Sequence, residues 1–270
     1  MMLNVSVLGA SGRMGRSLLA CIAEDKDLRL VGALTESSDP AVGKDVGISS
    51  GLGSLGVSLL DNRTHVLEKA EVAIDFTLPE ATQANVAACI DSGTALVIGT
   101  TGLEGEYVKS LREASGRIPL VYGRNMSVGV NVFMDLVGRA ARALGEEYDA
   151  EILDAHHSQK VDAPSGTALA LGEEVAKARG RTLEELGVKT RVGQTGPRVP
   201  NSVGFSVIRA GNIVGDHSVF FASPDERIEL IHRATNRRTF ARGALRAATW
   251  VHDKKPGFYS MRDVLGLQET

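Results

Sequence analysis

The most constraining stretch of the chain lies near its start. Leu3-Asn4-Val5-Ser6-Val7-Leu8 is short and mostly apolar. It runs straight into Gly9-Ala10-Ser11-Gly12-Arg13-Met14-Gly15 and then into helical spacing from Arg16 to about Ala23. Strand, glycine turn and helix in immediate succession are the parts of a dinucleotide-binding unit, here in a G-x-x-G-x-x-G form. Gly9 allows the tight turn, Gly12 lets the backbone approach a pyrophosphate, and Gly15 permits close helix–strand packing. A bare glycine pattern also fits an ordinary turn; its place between a strand and a helix favours the dinucleotide site.

Leu28 to Leu34 reads as the second strand. An acid at the end of that strand normally receives the adenosine ribose hydroxyls. Here the end reads Leu34-Thr35-Glu36-Ser37, so Glu36 is the candidate. No arginine follows to hold a 2′-phosphate, although Arg13 in the glycine turn could contribute. The choice between NADH and NADPH stands open, with a lean to NADH. Ser37 to Asp61 reads as an irregular loop with one short strand, and a helix ends over Leu67 to Ala70. After it come a strand Val72 to Phe76, Thr77-Leu78-Pro79-Glu80 with proline at a helix start, and a helix Glu80 to Ile90. The strand Ala95 to Ile98, the turn Gly99-Thr100-Thr101-Gly102, the helix Glu104 to Ser115 and the strand Ile118 to Tyr122 lead to Gly123-Arg124-Asn125-Met126-Ser127. Strands alternating with helices imply a parallel sheet covered on both faces. Ligands of such sheets bind at the carboxyl ends of the strands, so the turns at Gly9, Phe76, Gly99 and Gly123 should line one crevice.

The second half is organised around Asp154-Ala155-His156-His157-Ser158-Gln159-Lys160-Val161-Asp162-Ala163-Pro164-Ser165-Gly166-Thr167. The run Glu151 to Ala155 before it reads as a strand, and Ala168 to Ala178 after it as a helix. Pro164-Ser165-Gly166-Thr167 has the makings of a helix start with an oxygen-bearing cap. Its first amides lack intrahelical partners and carry the positive end of the dipole, which suits carboxylate or phosphate. Lys160 adds a full charge, and His156 and His157 can carry a proton near neutral pH. Each feature alone fits a surface loop with a capped helix. Four of them converging in one loop point to a pocket for an anionic small molecule that needs proton transfer. A metal on His156 and His157 is not expected, because adjacent residues rarely point the same way and no carboxylate or cysteine has supporting spacing.

Val130 to Leu144 has helical spacing and leads into this second region. A hydrophilic segment around Arg181 to Pro200 and strand-like runs at Val203 to Arg209, Ser218 to Ala222 and Arg227 to Ala234 complete it. The expected fold class is α/β: a Rossmann-like doubly wound parallel sheet over residues 1–127, then a second α+β domain with an open mixed sheet of about four strands over residues 128–237. Residues 238–270, with a helix from Thr239 to His252, are expected to return to the first domain. One open sheet face would need covering, which suggests oligomer formation through it.

With 270 residues, 43% of them hydrophobic, the chain can fill two modest cores. A formal net charge of -3 indicates no general attraction to nucleic acid or anionic membrane. Cys21 and Cys89 sit in helical runs without metal or redox spacing; buried packing and a reducing cytoplasmic setting fit them. No apolar run approaches ~20 residues and no targeting peptide is expected.

On these residues the chain resembles the 4-hydroxy-tetrahydrodipicolinate (dihydrodipicolinate) reductase family over essentially its whole length. The strings that carry the likeness are Gly9 to Gly15, Asp75-Phe76-Thr77, Gly99 to Gly102, Asn125 with Ser127-Val128-Gly129-Val130-Asn131, His156 to Thr167, and Arg209-Ala210-Gly211 with Ile213-Val214-Gly215. The resemblance implies NAD(P)H-dependent reduction of a cyclic dicarboxylate in lysine and diaminopimelate biosynthesis, with a 4-hydroxyl lost as water. It implies a nicotinamide cofactor on Gly9 to Met14, Phe76, Thr77, Gly99, Thr100, Thr101 and Gly123 to Met126. It implies substrate held by His157, Lys160, Ser165, Gly166 and Thr167, with His156 as proton donor and acceptor and Lys160 as proton donor. A homotetramer through the second-domain sheet also follows from it. Because the cofactor and anion motifs fall in separate domains, the active site is expected to lie between them, with closure completing it. Thr35 stands where the family often has an acid, Leu78 where some members have an arginine, and Ser158 and Gln159 where some relatives are more basic. The competing readings are another NAD(P)H-dependent oxidoreductase of an amino-dicarboxylate, since fold does not choose substrate, and a non-catalytic nicotinamide sensor, which an intact catalytic loop disfavours.

Overall fold

A computed structural model describes residues 2–267. The elements in chain order are β1 (Leu3–Leu8), α1 (Arg13–Glu24), β2 (Leu28–Leu34), α2 (Val46–Ser49), β3 (Leu59–Leu60), α3 (Arg63–Leu67), β4 (Val72–Asp75), α4 (Pro79–Ser92), β5 (Ala95–Ile98), α5 (Glu106–Ala114) and β6 (Pro119–Tyr122). They continue with α6 (Val128–Leu144), β7 (Asp149–His156), α7 (Gly166–Ala178), α8 (Leu183–Leu186), β8 (Gly187–Val188), β9 (Val203–Arg209), β10 (Gly215–Ala222), β11 (Arg227–Ala234), α9 (Arg238–Val251), β12 (Gly257–Tyr259) and α10 (Met261–Leu265). Two compact units result: Met1–Val128 with Arg238–Thr270, and Gly129–Arg237.

In the first unit seven strands form a parallel sheet in the order β12-β6-β5-β4-β1-β2-β3. Its strands are buried on both faces, and alternation sends successive residues to opposite cores. Val5, Val7, Val72, Ile74 and Val97 join the core that packs under α1 and α9. Leu8, Ala73, Leu96 and Ile98 join the core under α3, α4 and α5. Cys21 lies in the first core and Cys89 in the second, both as buried free thiols. Chain order reverses direction across the sheet between β1 and β4, and open parallel sheets bind ligands at such a switch point.

The segment 37–61 is more ordered than its composition suggests. The Asp45 carboxylate accepts from the amides of Gly47, Ile48, Leu55 and Gly56 and from the Ser54 hydroxyl, which nucleates α2 and folds the loop back on itself.

The second unit has five strands, one more than expected, in the order β11-β10-β7-β9-β8. β7 pairs antiparallel with β10 and parallel with β9, so the sheet is mixed. The added strand β8 and the helix α8 fall in the hydrophilic stretch to which the sequence assigned no element; a capping box of Thr182 and Glu185 starts α8 there. One face of this sheet changes character along the strands. Ala150, Ile152, Val203, Phe205, Val219 and Phe221 pack against Phe133 and Val137 of α6 and Leu171 and Val175 of α7. The next two residues on the same face of β7 are Asp154 and His156, with His217 opposite Asp154 on β10 and Arg209 opposite His156 on β9. The apolar half seats the helices, and the polar half carries the chemistry. Among the described residues no helix is long and apolar enough to cross a membrane.

Candidate active site

In the first unit the candidate residues gather at the carboxyl ends of β1, β4, β5 and β6. Gly9 has φ +82, a conformation side chains avoid, and a Cβ there would come 2.8 Å from the Phe76 carbonyl. The turn after β1 therefore lies directly against the turn after β4. A Cβ on Gly15 would stand 2.2 Å from the Gly9 carbonyl, so glycine lets α1 sit on the turn. Gly12 caps α1 without a side-chain hydrogen bond, and a Cβ on it would meet nothing nearer than the Gly9 carbonyl at 3.3 Å. An open helix start with bare backbone fits a pyrophosphate.

Asp75, at the end of β4, ties neighbouring turns together. It is fully buried and accepts from the Thr77 amide at 2.8 Å, the Thr77 hydroxyl at 2.6 Å, Asn85 at 2.9 Å and the Thr100 hydroxyl at 3.3 Å. The Phe76 ring fills the space a Cβ on Gly99 would need, at 2.3 Å. Other candidates face inward: Ala10, Met126 and Thr100 are buried, which leaves backbone as their route to a ligand, whereas Arg13, Thr101 and Arg124 are exposed. Asn125 uses its side-chain oxygen on the Ser127 amide.

At the end of β2, Glu36 is exposed. A different acid connects to the glycine turn. Ser11 and Thr35 share a hydroxyl hydrogen bond of 2.7 Å, and Thr35 donates to Asp39 at 2.8 Å. The Ala41 amide, then Ser11 and Thr35, hold the Asp39 carboxyl below its usual range. Sequence reading missed Asp39 because it stands four residues past the expected position and returns only through the loop.

In the second unit the structure brings the loop candidates together at the polar half of the sheet. His156 ends β7, and α7 starts at Gly166 with Ser165 as its cap, accepting from the Ala168 amide at 3.2 Å. Ser165 is buried and Gly166 exposed, which presents the first amides of α7 outward. Lys160 meets Asp162 at 2.7 Å. Burial opposes ionisation of Asp162, but Lys160 outweighs it and holds the carboxyl low. Two further cations arrive from distant sequence. Arg237 lies 3.1 Å from His157 Nε2, and Arg209 donates to the Asp162 carbonyl at 2.6 Å and the Asp154 carboxylate at 3.0 Å. Neither is within reach of a local motif; only the strand pairing places Arg209 beside His156.

Asp154 is the hub of this unit's site. Its carboxylate accepts from the Ser165 amide at 2.8 Å and lies 2.9 Å from His156 Nδ1 and 3.4 Å from His217 Nε2. Burial alone would raise its pKa, yet His156, His217 and the Ser165 amide outweigh that and hold it far below the usual carboxylate range. The expectation that no carboxylate supports a ligand cluster is corrected here. Asp154, His156 and His217 bring three donor atoms within 4.8 Å of one another, because residues two apart on a strand share a face. Arg209 already neutralises the carboxylate in that cluster.

Comparison with known proteins covers both units. The family described as dihydrodipicolinate reductase, N-terminus, matches residues 3–126, and dihydrodipicolinate reductase, C-terminus, matches residues 129–265. A 4-hydroxy-tetrahydrodipicolinate reductase from Chromohalobacter salexigens is 49% identical over 99% of this chain and 100% of its own. One from Alkalilimnicola ehrlichii is 51% identical over 98% of this chain and 99% of its own. Among solved structures, a dipicolinate-bound dihydrodipicolinate reductase from Paenisporosarcina sp. TG-14 superposes with a TM-score of 0.76 at 21% identity, over 96% of this chain and 98% of that one. A DAP dehydrogenase from C. glutamicum, solved in complex with DAP, gives 0.56 at 15% identity, over 99% and 96%.

Proposed function

The chain belongs to the dihydrodipicolinate reductase family across both of its units, and from that membership we propose that it reduces 4-hydroxy-2,3,4,5-tetrahydrodipicolinate to 2,3,4,5-tetrahydrodipicolinate with loss of water, in lysine and diaminopimelate biosynthesis. The observation that carries the proposal is that Asp154 gathers His156, Arg209 and the capped start of α7, while the same loop holds Lys160 on Asp162 and His157 beside Arg237. A diacid needs that much positive charge. Bound at the first unit, a nicotinamide cofactor supplies the hydride that adds to the substrate ring.

The chain's own residues do the rest. The amides of Gly166 and Thr167, with Lys160 and His157, receive carboxylate oxygens, and Arg237 adds charge beside His157. The ring accepts a hydride while the 4-hydroxyl departs, so one proton must reach the leaving oxygen to give water. In this reading Lys160 donates it, with His156 as the second proton carrier; a positioned acid contributes typically ~10²–10⁴-fold. Negative charge that builds on the ring faces the same cations, which stabilises the transition state more than the ground state. The experiment is to follow oxidation of reduced nicotinamide with freshly generated substrate. Oxidation that starts only when substrate is present supports the reaction; oxidation with other amino-dicarboxylates but not this one would replace the substrate assignment.

For the cofactor, Asp39 supports NADH. Its ionised carboxylate, linked through Thr35 to Ser11 of the glycine turn, can accept ribose hydroxyls and opposes a 2′-phosphate. For assembly, a homotetramer through the uncovered sheet face of the second unit fits the exposed Ile208 and Ile231 there, 43% and 45% accessible.

A further inference from the structure

We propose that Asp154 is the positioning residue of the site, a buried carboxylate that orients the His156 ring and the start of α7 at once. The inference rests on the reading that His156 moves a proton and that α7 receives a carboxylate. It adds a residue that touches neither substrate nor cofactor.

Asp154 is 0% exposed, on the strand face that two residues earlier is apolar core. A buried charge is tolerated only when its partners replace water. All of them here belong to the site: the Ser165 amide, His156, His217 and Arg209. A carboxylate buried for stability alone would need none of these in particular.

The His156 ring is confined on three sides. Asp154 stands at Nδ1 at 2.9 Å. His217 meets the ring edge-on, with centroids 5.2 Å apart and planes at 71°. The backbone of Gly215 lies so close that a Cβ there would come 3.1 Å from Nε2. A carboxylate beside one ring nitrogen favours the tautomer that carries its proton there, which leaves the other nitrogen for chemistry. The Nδ1 approach is off the hydrogen-bond axis, so neither atom counts as conventionally paired. Its hold on the ring is electrostatic as much as directional, and such contacts commonly tighten only in the substrate complex.

The same carboxylate reaches the anion-binding side twice. Its second oxygen takes the Ser165 amide at the α7 cap, and Arg209 bridges it to the Asp162 carbonyl, whose side chain holds Lys160. Proton carrier, helix start and lysine loop are therefore referred to one fixed charge.

A double-mutant cycle tests this in the full-length protein. Asp154→Asn keeps the shape and an acceptor for Ser165 but removes the charge. It should lower kcat by about 10²-fold, with the Kd for NADH measured by fluorescence titration unchanged. In a His156→Ala background the same change should cost no more than about 3-fold, because the ring that the charge orients is gone while Asn still accepts from the Ser165 amide at the start of α7. In ¹⁵N-histidine spectra the Nδ1-protonated signature of His156 should be present in the parent protein and lost in Asp154→Asn. Equal losses in both backgrounds, or an unchanged His156 signature, would overturn the positioning role. If His156→Ala keeps normal turnover, the role given to His156 fails first. If it loses turnover while Asp154→Asn does not, only the inference about Asp154 fails. Should Asp154→Asn not melt cooperatively, Asp154→Glu, which keeps the charge but displaces it by one methylene, is read in the same cycle.

Discussion

Lys160 enters the structure already paired with a neighbour, and that pairing shapes what its removal should do. Asp162 is 52% accessible at its side chain, so Lys160→Ala strands no buried charge. The effect should appear in turnover rather than in melting temperature. Lys160→Ala and His156→Ala are each expected to lower kcat by at least ~10²-fold in steady-state assays, with NADH affinity nearly unchanged. Asp39 gives a complementary test in the other unit. Asp39→Asn removes the charge but keeps the shape, and isothermal titration should show NADPH gaining on NADH by about tenfold, the equivalent of ~1.4 kcal/mol. Unchanged relative affinities would return attention to Glu36.

At the scale of elements, glycine spacing has a direct cost. Gly15→Ala puts a methyl 2.2 Å from the Gly9 carbonyl, against backbone that cannot swing aside. The α1–β1 unit must open, and an expected loss of about 2–4 kcal/mol should lower Tm by roughly 4–12 °C, together with NADH binding. On β11, burial pushes His232 below the ordinary imidazole range, with His217 acting in the same direction. A base whose pKa is depressed by folding is neutral in both states at high pH. As pH falls through the unfolded value near ~6.5, the unfolded chain takes the proton first, so stability drops. Thermal melts from about pH 7.5 to about 5.5 should show that decline, and His232→Gln should flatten it.

The elements themselves were largely readable. β1, β2, β5, β9 and β11 begin and end where apolar patterning places them. The starts of α1 and α7 were placed two or three residues late, because cap residues carry little hydrophobic signal, whereas α5 begins two residues after the expected Glu104. The very short strands β3, β8 and β12 depend on pairing partners rather than on their own composition. For the site, the loop from His156 to Thr167 was legible because its groups are local. His217 and Arg237 were not, and Arg209 stood in one of the strings of the resemblance without a role at the site, because strand pairing and chain return bring all three in from 50 to 80 residues away.

For the molecule as a whole, the second unit leaves Ile208 and Ile231 open to solvent on the sheet face opposite its helices. A lysine at either position should disfavour association at little cost to the fold. Light scattering on Ile231→Lys is expected to show a smaller species than the parent chain at micromolar concentration, whereas a parent chain that is already monomeric would remove the tetramer proposal.

The two thiols have a use beyond packing. Cys21 and Cys89 sit on opposite sides of one sheet, 5% and 0% accessible, and burial pushes Cys89 well above the ordinary thiol range. A maleimide or iodoacetamide reagent should leave the native protein untouched and mark each cysteine only when its own layer parts from the strands. Mass spectrometry of timed alkylation would thereby clock the opening of the two layers separately, without any engineered probe.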